Sequence, residues 1–334
     1  MKFHSSVGTS AYHDLRRSLL DDRVSEIIGP PTRVKVRGRI FWYDKYRIGN
    51  DIAQRYIGPD SDELRSRLDR IAELKSSGTL RQSERTRLVR ILRSEGYKST
   101  DAKVGSLLNA FARTGLFRLG GTLVGTVAFQ HYEGELGVVM GFDQLAQTDD
   151  IDIASFERLS FAIDDQVETP LKQVFDQLKF EPVPSLHKTA TWRWKQSDSN
   201  TVVEFLMPAT RDETLRDLPA LGVSAQALRH LDYLIEDPIP AVSLYRSGVL
   251  VQIPRPERYA IHKLIVAERR RGGPDMLKAR KDRAQAEFLI EALTELRPDE
   301  LAEAYEIARS RGPQWRAQLD ASLKRSPRSL SLLG

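Results

Sequence analysis

Two aspartates separated by a single residue stand in an apolar stretch of this 334-residue chain, Asp150-Ile151-Asp152-Ile153. On a β-strand, residues i and i+2 point to the same face, so the two carboxylates would lie side by side. Like charges at that spacing repel each other unless a cation neutralises them, and carboxylate oxygens are ligands that Mg²⁺ prefers. The pair therefore indicates a divalent-metal site of the kind that two-metal phosphoryl transfer requires, with an exposed strand carrying two solvated acids as the alternative.

Two other groups of residues have the chemistry to complete such a site. Glu204 is the lone charge in the apolar segment 202–206, so its side chain either faces solvent or holds a cation. Gly120, Gly121 and Thr122 follow an apolar residue, and glycines let backbone N–H groups approach a triphosphate without obstruction by side chains. Taken alone, the Gly-Gly-Thr sequence fits a tight turn better than a phosphate site.

The order of these residues resembles the DNA polymerase β-type nucleotidyltransferase superfamily. Its pattern is an apolar residue, Gly, Gly or Ser, then Asp-x-Asp/Glu, then a separate acidic residue. Residues 115–207 are also similar to bacterial nucleotidyltransferase-like proteins. The resemblance implies that the Gly-Gly-Thr sequence contacts the phosphates of an NTP substrate. It implies Mg²⁺ (or Mn²⁺) ligands at Asp150 and Asp152, with Glu204 as third ligand and as base for the incoming hydroxyl.

The chain departs from the superfamily pattern in two ways. Gly121 and Asp150 are 29 positions apart, which is longer than the usual spacing and predicts an inserted strand or hairpin. The third acid is Glu204, where Asp is common. Asp149 is a lower-ranked ligand candidate, because on a strand it would face away from Asp150.

The charge distribution bears on the partner. Residues 1–100 carry 21 Lys and Arg against 13 Asp and Glu, a net +8, while residues 101–255 carry −7 and residues 256–334 carry +4. Two basic flanks favour RNA, tRNA in particular, as the acceptor, with chance clustering of solvated charges as the alternative. Lys263 could reach the β- and γ-phosphates as a point charge, or could lie on a solvated helix face.

Aromatic and basic residues alternate in one short segment of the first flank. Phe41, Trp42 and Tyr43 lie among Arg37, Arg39, Lys45 and Arg47, a mixture that can stack bases and bind phosphates. A small hairpin core with a basic edge explains the same residues.

Composition excludes several other classes. The chain has no cysteine, which rules out a disulfide framework, a thiolate metal site and a cysteine nucleophile. No run of 18 apolar residues is present and the N-terminus has no apolar run of signal-peptide length, so we expect no contact with a membrane and a cytoplasmic location. There is no Gly-x-x-x-x-Gly-Lys-Ser/Thr phosphate loop.

The secondary structure expected around these residues indicates an α+β fold. It consists of a small mixed-sheet nucleotidyltransferase core flanked by helical N- and C-terminal regions. The expected division is 1–100, a helical region with a β-hairpin; 101–215, the core; and 216–334, mostly helical. Strands are predicted at 34–43 (a hairpin with Gly38 near its turn), within 117–132, and at 148–156, 189–195, 201–207, 242–245 and 249–253. Helices are predicted at 11–28, 61–76, 80–97, 99–114, 157–179, 211–236, 256–271, 275–296, 299–310 and 313–324, with the last ten residues frayed.

The expected activity is Mg²⁺-dependent transfer of a nucleoside monophosphate from an NTP to a hydroxyl. The C-terminal helices resemble those of abortive-infection-type nucleotidyltransferase toxins, which implies a toxin-like role with an RNA acceptor; a protein hydroxyl or a small molecule stays open. The alternative is a non-catalytic nucleic-acid-binding or interaction protein on a nucleotidyltransferase scaffold.

Overall fold

The computed structural model describes residues 1–36, 38–48, 51–141, 150–155, 167, 170–184, 191–209, 212–272 and 276–333. Within these ranges the fold is α+β, as the sequence predicts, with a central mixed sheet and helices at both ends. No helix in the described part of the chain is both long and apolar enough to cross a membrane.

The N-terminal region combines helices with a three-stranded antiparallel sheet. Ser5 and Ser61 cap two of the helices, since each hydroxyl accepts a hydrogen bond from a backbone N–H three residues on, at 3.0 and 3.1 Å. The predicted hairpin is confirmed, with Gly38 at φ +82° between its strands, but a third strand was not predicted. The elements are α1 (Ser6–Ser25), β1 (Pro31–Val36), β2 (Arg39–Ile48), β3 (Asp51–Pro59), α2 (Asp62–Asp69), α3 (Ile71–Ser76) and α4 (Gly78–Ser94).

The central region builds a mixed sheet. Its elements are α5 (Ala102–Arg113), β4 (Thr122–Val124), α6 (Gly125–Leu136), β5 (Asp150–Ala154), α7 (Leu171–Gln177), β6 (Phe180–Pro182), β7 (Arg193–Gln196), β8 (Val202–Pro208), β9 (Leu215–Leu218), β10 (Val223–Leu228) and α8 (Leu231–Ile235). The main path is β4-β5-β8-β10-β9, and β7 pairs with the first half of β8 on the side away from β5. Strands β5, β8 and β10 run parallel, whereas β4 is antiparallel to β5.

The C-terminal region is a hairpin followed by helices. Its elements are β11 (Ile239–Ser243), β12 (Val249–Ile253), α9 (Pro256–Arg269), α10 (Met276–Leu296), α11 (Pro298–Ser310), α12 (Pro313–Leu323) and α13 (Pro327–Leu333). Several helices begin at a proline, which suits the first turn because the missing N–H has no helical partner there. The last ten residues are not frayed as expected, since α13 is helical and buries Ser329.

Two sequence predictions about secondary structure are wrong. The stretch 117–132 contains only the three-residue strand β4 and then turns into α6, whose first eight residues lie in it. Short apolar runs do not distinguish a strand from a helix buried on most sides, and α6 is such a helix. The stretch 211–236 was predicted to be helical, but β9 and β10 form an antiparallel pair there around Gly222 at φ +65°. The predicted helix over 157–179 is confirmed only for α7, and residues 157–166 lie outside the described residues.

One apolar cluster joins the central sheet to the C-terminal helices. It includes Phe205 on β8, Tyr259 on α9 and Leu293 on α10, all fully buried. The C-terminal helices therefore share one apolar core with the sheet. The three-part division of the chain at residues 100 and 215 stays a prediction.

Candidate active site

The two aspartates and Glu204 share one face of the central sheet. In the parallel pairing of β5 with β8, Asp152 lies directly opposite Glu204, and Asp150 is two residues before Asp152. The residues between them, Ile151 and Val203, are buried in the core on the other face. Paired residues on adjacent strands project to the same side, so the structure brings the three predicted carboxylates together on one surface. Asp149 lies outside the described residues.

The surroundings of Asp152 disfavour the charged form of its carboxyl group. Its burial, together with the negative charges of Glu204 and Asp150, raises the pKa of the Asp152 carboxyl to about 7. The positive charges of Lys263 and Arg270 lower the pKa of Asp152, but by less than burial and the two carboxylates raise it. A cation placed between the carboxylates would remove the repulsion, which is the behaviour expected of a metal-ligating acid.

Glu204 is held by an arginine from the neighbouring strand. Arg193 on β7 lies opposite Glu204 on β8, and its guanidinium donates to Glu204 Oε1. The same guanidinium stacks 4.8 Å from the centre of the Trp192 ring. As the side chains stand, no group of three or more His, Cys, Asp or Glu residues in the described ranges is arranged closely enough to hold a metal ion. Glu204 would have to turn away from Arg193 to join the two aspartates.

Gly125 marks the point where β4 ends and α6 begins, directly beside Asp152. A Cβ at Gly125 would lie 2.2 Å from Asp152 Oδ2, and the residue has φ +64°, a conformation that favours glycine. The backbone N–H groups in the first turn of α6 have no helical partner, and the positive end of the helix dipole lies at this terminus. Gly125 therefore gives an anion at the acidic face access to backbone donors. The Gly125 carbonyl accepts a hydrogen bond from the Tyr259 hydroxyl at 2.8 Å, which fixes the turn.

Gly120, Gly121 and Thr122 lie at the opposite end of β4. Antiparallel pairing places Val124 opposite Asp152 but Thr122 opposite Ala154. Gly121 packs on Leu116, where an added Cβ would lie 2.3 Å from Leu116 Cδ2. The buried Thr122 hydroxyl donates to the Gly120 carbonyl (3.2 Å) and accepts from Gln252 Nε2 (3.0 Å). The structure thus does not bring these three residues to the carboxylates.

Lys263 is buried in an ion-pair network rather than exposed on a helix face. Its ammonium group and the guanidinium of Arg270 each bind one oxygen of Asp282, which is 3% exposed. Lys263 and Arg270 line the same cavity as Asp152, so positive charge faces the acidic surface from α9. Lys281 lies near enough to Asp150 for that carboxylate to oppose the lowering of the Lys281 pKa, whose main cause is burial.

A cavity of about 310 Å³ opens between the acidic face and α9. Gly125 and Asp152 form its floor on the sheet side, and Tyr259, His262 and Lys263 come from α9. Apolar side chains form much of the rest of its wall: Val124, Leu206, Leu228, Leu231, Leu234 and Val266. Burial, with the nearby Lys263 charge, lowers the pKa of His262 to about 3, so this imidazole is neutral at physiological pH.

The aromatic segment of the basic flank forms a packed hairpin. Tyr43 is 1% exposed and packs edge-on against Tyr56 at 5.6 Å. The Trp42 indole donates to Asp60 at 2.7 Å and carries the Arg33 guanidinium 4.9 Å from its ring centre. These contacts match the hairpin-core alternative. Arg37 and the side chain of Arg47 lie outside the described residues.

Sequence reasoning missed several residues at the site, above all Gly125 and Tyr259. A usable signal was present for Gly125, since Val124-Gly125-Thr126 repeats the apolar–Gly–hydroxyl pattern four residues after Gly121. The roles of Arg270 and Asp282 had no local signal, because their pairing depends on the packing of α9 against α10.

Comparison with known proteins agrees with this geometry. The chain matches the protein-family model described as Nucleotidyltransferase over residues 102–310, which is well over half of its length. The chain therefore belongs to the nucleotidyltransferase family, and the protein is a nucleotidyltransferase enzyme. The matched region begins at α5 and ends with α11, so it includes the acidic face, Gly125 and the buried network around Asp282. Searches of the curated proteins and of the solved structures returned no match.

Proposed function

We propose that this enzyme transfers a nucleoside monophosphate from an NTP to a hydroxyl in a Mg²⁺-dependent reaction of the DNA polymerase β type. The observation that carries the proposal is the shared sheet face of Asp150, Asp152 and Glu204, placed beside the first turn of α6. Nucleotidyl transfer needs carboxylates that hold divalent cations and donors that hold a triphosphate, and Asp152 lies beside Gly125 in the wall of the cavity of about 310 Å³.

The residues present fit a divalent cation. The raised pKa of Asp152 reflects carboxylates that repel one another, and hard oxygen ligands suit Mg²⁺ or Mn²⁺. Asp150, Asp152 and Glu204 would hold the metal, which when bound supplies charge neutralisation for the phosphates and lowers the pKa of an acceptor hydroxyl. Glu204 lies opposite Asp152 on one neighbouring strand and opposite Arg193 on the other. In this proposal its side chain leaves Arg193 and turns toward the two aspartates.

Gly125 and the first turn of α6 replace the Gly-Gly-Thr sequence as the proposed phosphate contact. The exchange rests on position, because Gly125 touches Asp152 whereas Thr122 is bound to Gln252 at the far end of β4. Lys263 and Arg270 supply positive charge from the opposite wall of the cavity, and Asp282 fixes the direction of both side chains. The apolar wall leaves room for the nucleoside.

The proton of the acceptor hydroxyl passes in this proposal to Glu204 Oε1, while the backbone donors of α6 and the two cationic side chains hold the pyrophosphate that leaves. Catalysis would then consist mainly of positioning and electrostatic stabilisation, as in other phosphoryl transfers. Tyr259 acts only as a positioning residue, because burial raises the pKa of its hydroxyl and keeps it protonated on the Gly125 carbonyl.

The proposed acceptor is RNA, tRNA in particular, with a toxin-like role as the setting. Support comes from the basic flanks of the chain, +8 over residues 1–100 and +4 over residues 256–334. Polyanion binding of this kind weakens steeply with salt, because each phosphate contact releases a counterion. A salt-independent transfer rate would instead indicate a small acceptor.

Labelling with each α-³²P NTP, Mg²⁺ and total RNA tests the proposal. Wild-type protein should label RNA, and Asp150→Ala should reduce labelling by about 1,000-fold or more, which corresponds to about 4 kcal/mol of transition-state stabilisation. Asp198→Ala is the matched control, because Asp198 is an exposed acid in the β7–β8 turn and pairs only loosely with Lys179, at 3.9 Å. Labelling by Asp150→Ala at the wild-type rate would remove the assignment of the site.

A further inference from the structure

A second cavity, of about 490 Å³, lies between the N-terminal region and the central region. It is bounded by the C-terminal half of α1, by β3, by the end of α5 and by β12. Its volume is within the usual range for pockets that bind small molecules. None of the residues assigned to the active site lines it.

Arginines dominate the charge of this cavity. Arg23, Arg55, Arg113 and Arg118 line it, against two acids. Both acids already have an arginine partner, and Glu26 is also turned to solvent. Asp22 is bound by Arg81 and Arg85, which lie behind the cavity wall, and Glu26 is 62% exposed and pairs with Arg55 at 3.2 Å. The wall therefore presents a surplus of positive charge.

The fold holds one of these arginines in place and leaves a second with an unfilled donor. Arg118 is 7% exposed and donates from Nη1 to the Tyr56 carbonyl at 3.0 Å. Gly115, at φ +81°, makes room for that guanidinium, since a Cβ there would lie 2.9 Å from Arg118 Nη2. Arg23 Nε is buried and has no hydrogen-bond partner in the described part of the chain. A buried donor without a partner is costly unless a ligand or water supplies an acceptor.

The crowding of these side chains is electrostatically unfavourable. Burial, and then the charges of Arg118 and Arg55, lower the pKa of Arg23 to about 10, despite favourable contributions from Tyr56 and Glu26. An anion between the guanidiniums would relieve both the repulsion and the unfilled donor. Guanidinium groups suit phosphate in particular, because their donors match its oxygens in paired geometry.

Apolar side chains form part of the remaining wall. The cavity is lined by Leu19, Phe117, Val249 and Val251 as well as by its cationic side chains. We propose that this cavity is a second binding site, for a phosphorylated small molecule of nucleotide size, with the phosphate at Arg23, Arg113 and Arg118 and the ring against the apolar wall. The site goes beyond nucleotidyl transfer and needs no metal.

The second site is physically linked to the active site through β4. Gln252 lines the cavity and donates to the Thr122 hydroxyl, and two residues later Val124 lies opposite Asp152. The two sites therefore lie at opposite ends of one short strand.

Isothermal titration in EDTA tests the site with three probes: inorganic phosphate, pyrophosphate and the nucleoside 5′-monophosphates. EDTA removes metal-dependent binding at the acidic face. We expect saturable 1:1 binding that is tightest for a nucleoside monophosphate. Tightest binding of free phosphate or pyrophosphate would assign the site to the anion alone and overturn the nucleotide-sized ligand.

Variants on both walls locate the binding. Arg113→Gln removes an exposed cavity arginine and should fold normally, and Ala112→Phe fills the cavity without changing its charge. Each should weaken binding by about tenfold or more, which corresponds to about 1.4 kcal/mol. Arg23→Gln should do the same if its melting temperature stays near that of the wild type. Arg87→Gln is the matched control, because Arg87 is an exposed arginine that pairs only with Glu84.

The outcomes separate this site from the active site. Retained binding by Asp150→Ala supports the proposal, and loss of binding in that variant overturns it. Absence of saturable binding by every probe also overturns it, as does binding that survives both Arg113→Gln and Ala112→Phe unchanged. Binding of tRNA without binding of any small probe would reassign the arginines to a macromolecular surface.

Discussion

A glycine stands at each end of β4, but the two glycines have different surroundings. At the amino end, Gly121 and Thr122 are sealed by Leu116 and Gln252, and their contacts hold the sheet to β12. At the carboxyl end, Gly125 opens the first turn of α6 onto Asp152. Glycine is needed at one end to fit against Leu116 and at the other to fit against Asp152. The direction of the strand decides which glycine lies beside that carboxylate.

Among the variants that compare the two ends of β4, Gly125→Ala should show the largest effect, a loss of turnover. The new Cβ would displace the Asp152 carboxylate by about an ångström and block the first turn of α6, so turnover should fall by about 100-fold. The measurement is the steady-state labelling rate per folded molecule. Gly222→Ala is the matched control, because its φ of +65° imposes the same backbone strain, about 1–2 kcal/mol, while a Cβ there meets nothing within 4 Å. Equal losses of turnover in the two variants would contradict the role of Gly125.

Gly121→Ala should instead lower the stability of the protein and leave its turnover nearly unchanged. The Cβ would overlap Leu116, including its backbone carbonyl at 2.9 Å, so we expect a loss of about 1–3 kcal/mol in the free energy of unfolding. Turnover per folded molecule should stay within about threefold of the wild type. Chemical denaturation and active-site titration measure the two quantities. Gly78→Ala, in open surroundings at the start of α4, controls for the added methyl group. A selective loss of turnover would restore the Gly-Gly-Thr sequence as the phosphate contact.

At the carboxyl end of β4, the charge of Asp152 should lower the stability of the metal-free protein in a pH-dependent way. In metal-free protein the pKa of Asp152 is about 7, above its ordinary value of 3.8, so between these values the folded state binds more protons than the unfolded state. Wild-type stability should therefore fall as pH rises from about 4 to 7. Asp152→Asn lacks this titration, and its melting temperature should exceed that of the wild type above pH 7 but not below pH 4. Parallel melting curves across that range would contradict the repulsion.

The smallest expected effect is that of Thr122→Val. It removes a buried hydroxyl that bonds Gly120 and Gln252, and we expect a loss of about 1 kcal/mol in unfolding free energy with turnover unchanged. Thr122→Ser keeps the hydroxyl and should retain most of the wild-type stability. A turnover defect in the valine variant that the serine variant lacks would show that this end of the strand also serves catalysis.

The acidic residues were predictable from sequence because their signal is local. Asp150 and Asp152 are i and i+2 on one strand, so their common face follows from strand geometry alone. Glu204 stands out as the lone charge in an apolar strand, but its place opposite Asp152 depends on the register of β8 with β5. Which glycine contacts the phosphates does not follow from the sequence, and Gly125 in that role stays a proposal. Two glycine–threonine patterns lie within 117–132, and choosing between them required knowing that β4 ends at Val124 and that a helix follows.

Long-range packing was beyond sequence reasoning for a different reason. Lys263 looks like an exposed helical lysine until Asp282, from the next helix, is placed beneath it. The strands β9 and β10 were assigned to a helix because the buried residues of β10 do not alternate along the chain, and its pairing with β8 and β9 makes it a strand. Tertiary context overrides local propensity in both cases.

The pairing of Asp152 with Glu204 has a consequence for biosynthesis. The strands that carry them are about fifty residues apart in the chain, and Tyr259, whose hydroxyl fixes the Gly125 turn, comes later still. Contacts so distant in sequence form late in folding. The bond from Tyr259 to the Gly125 carbonyl therefore cannot form until α9 has been synthesised, after the strands that carry Asp152 and Glu204.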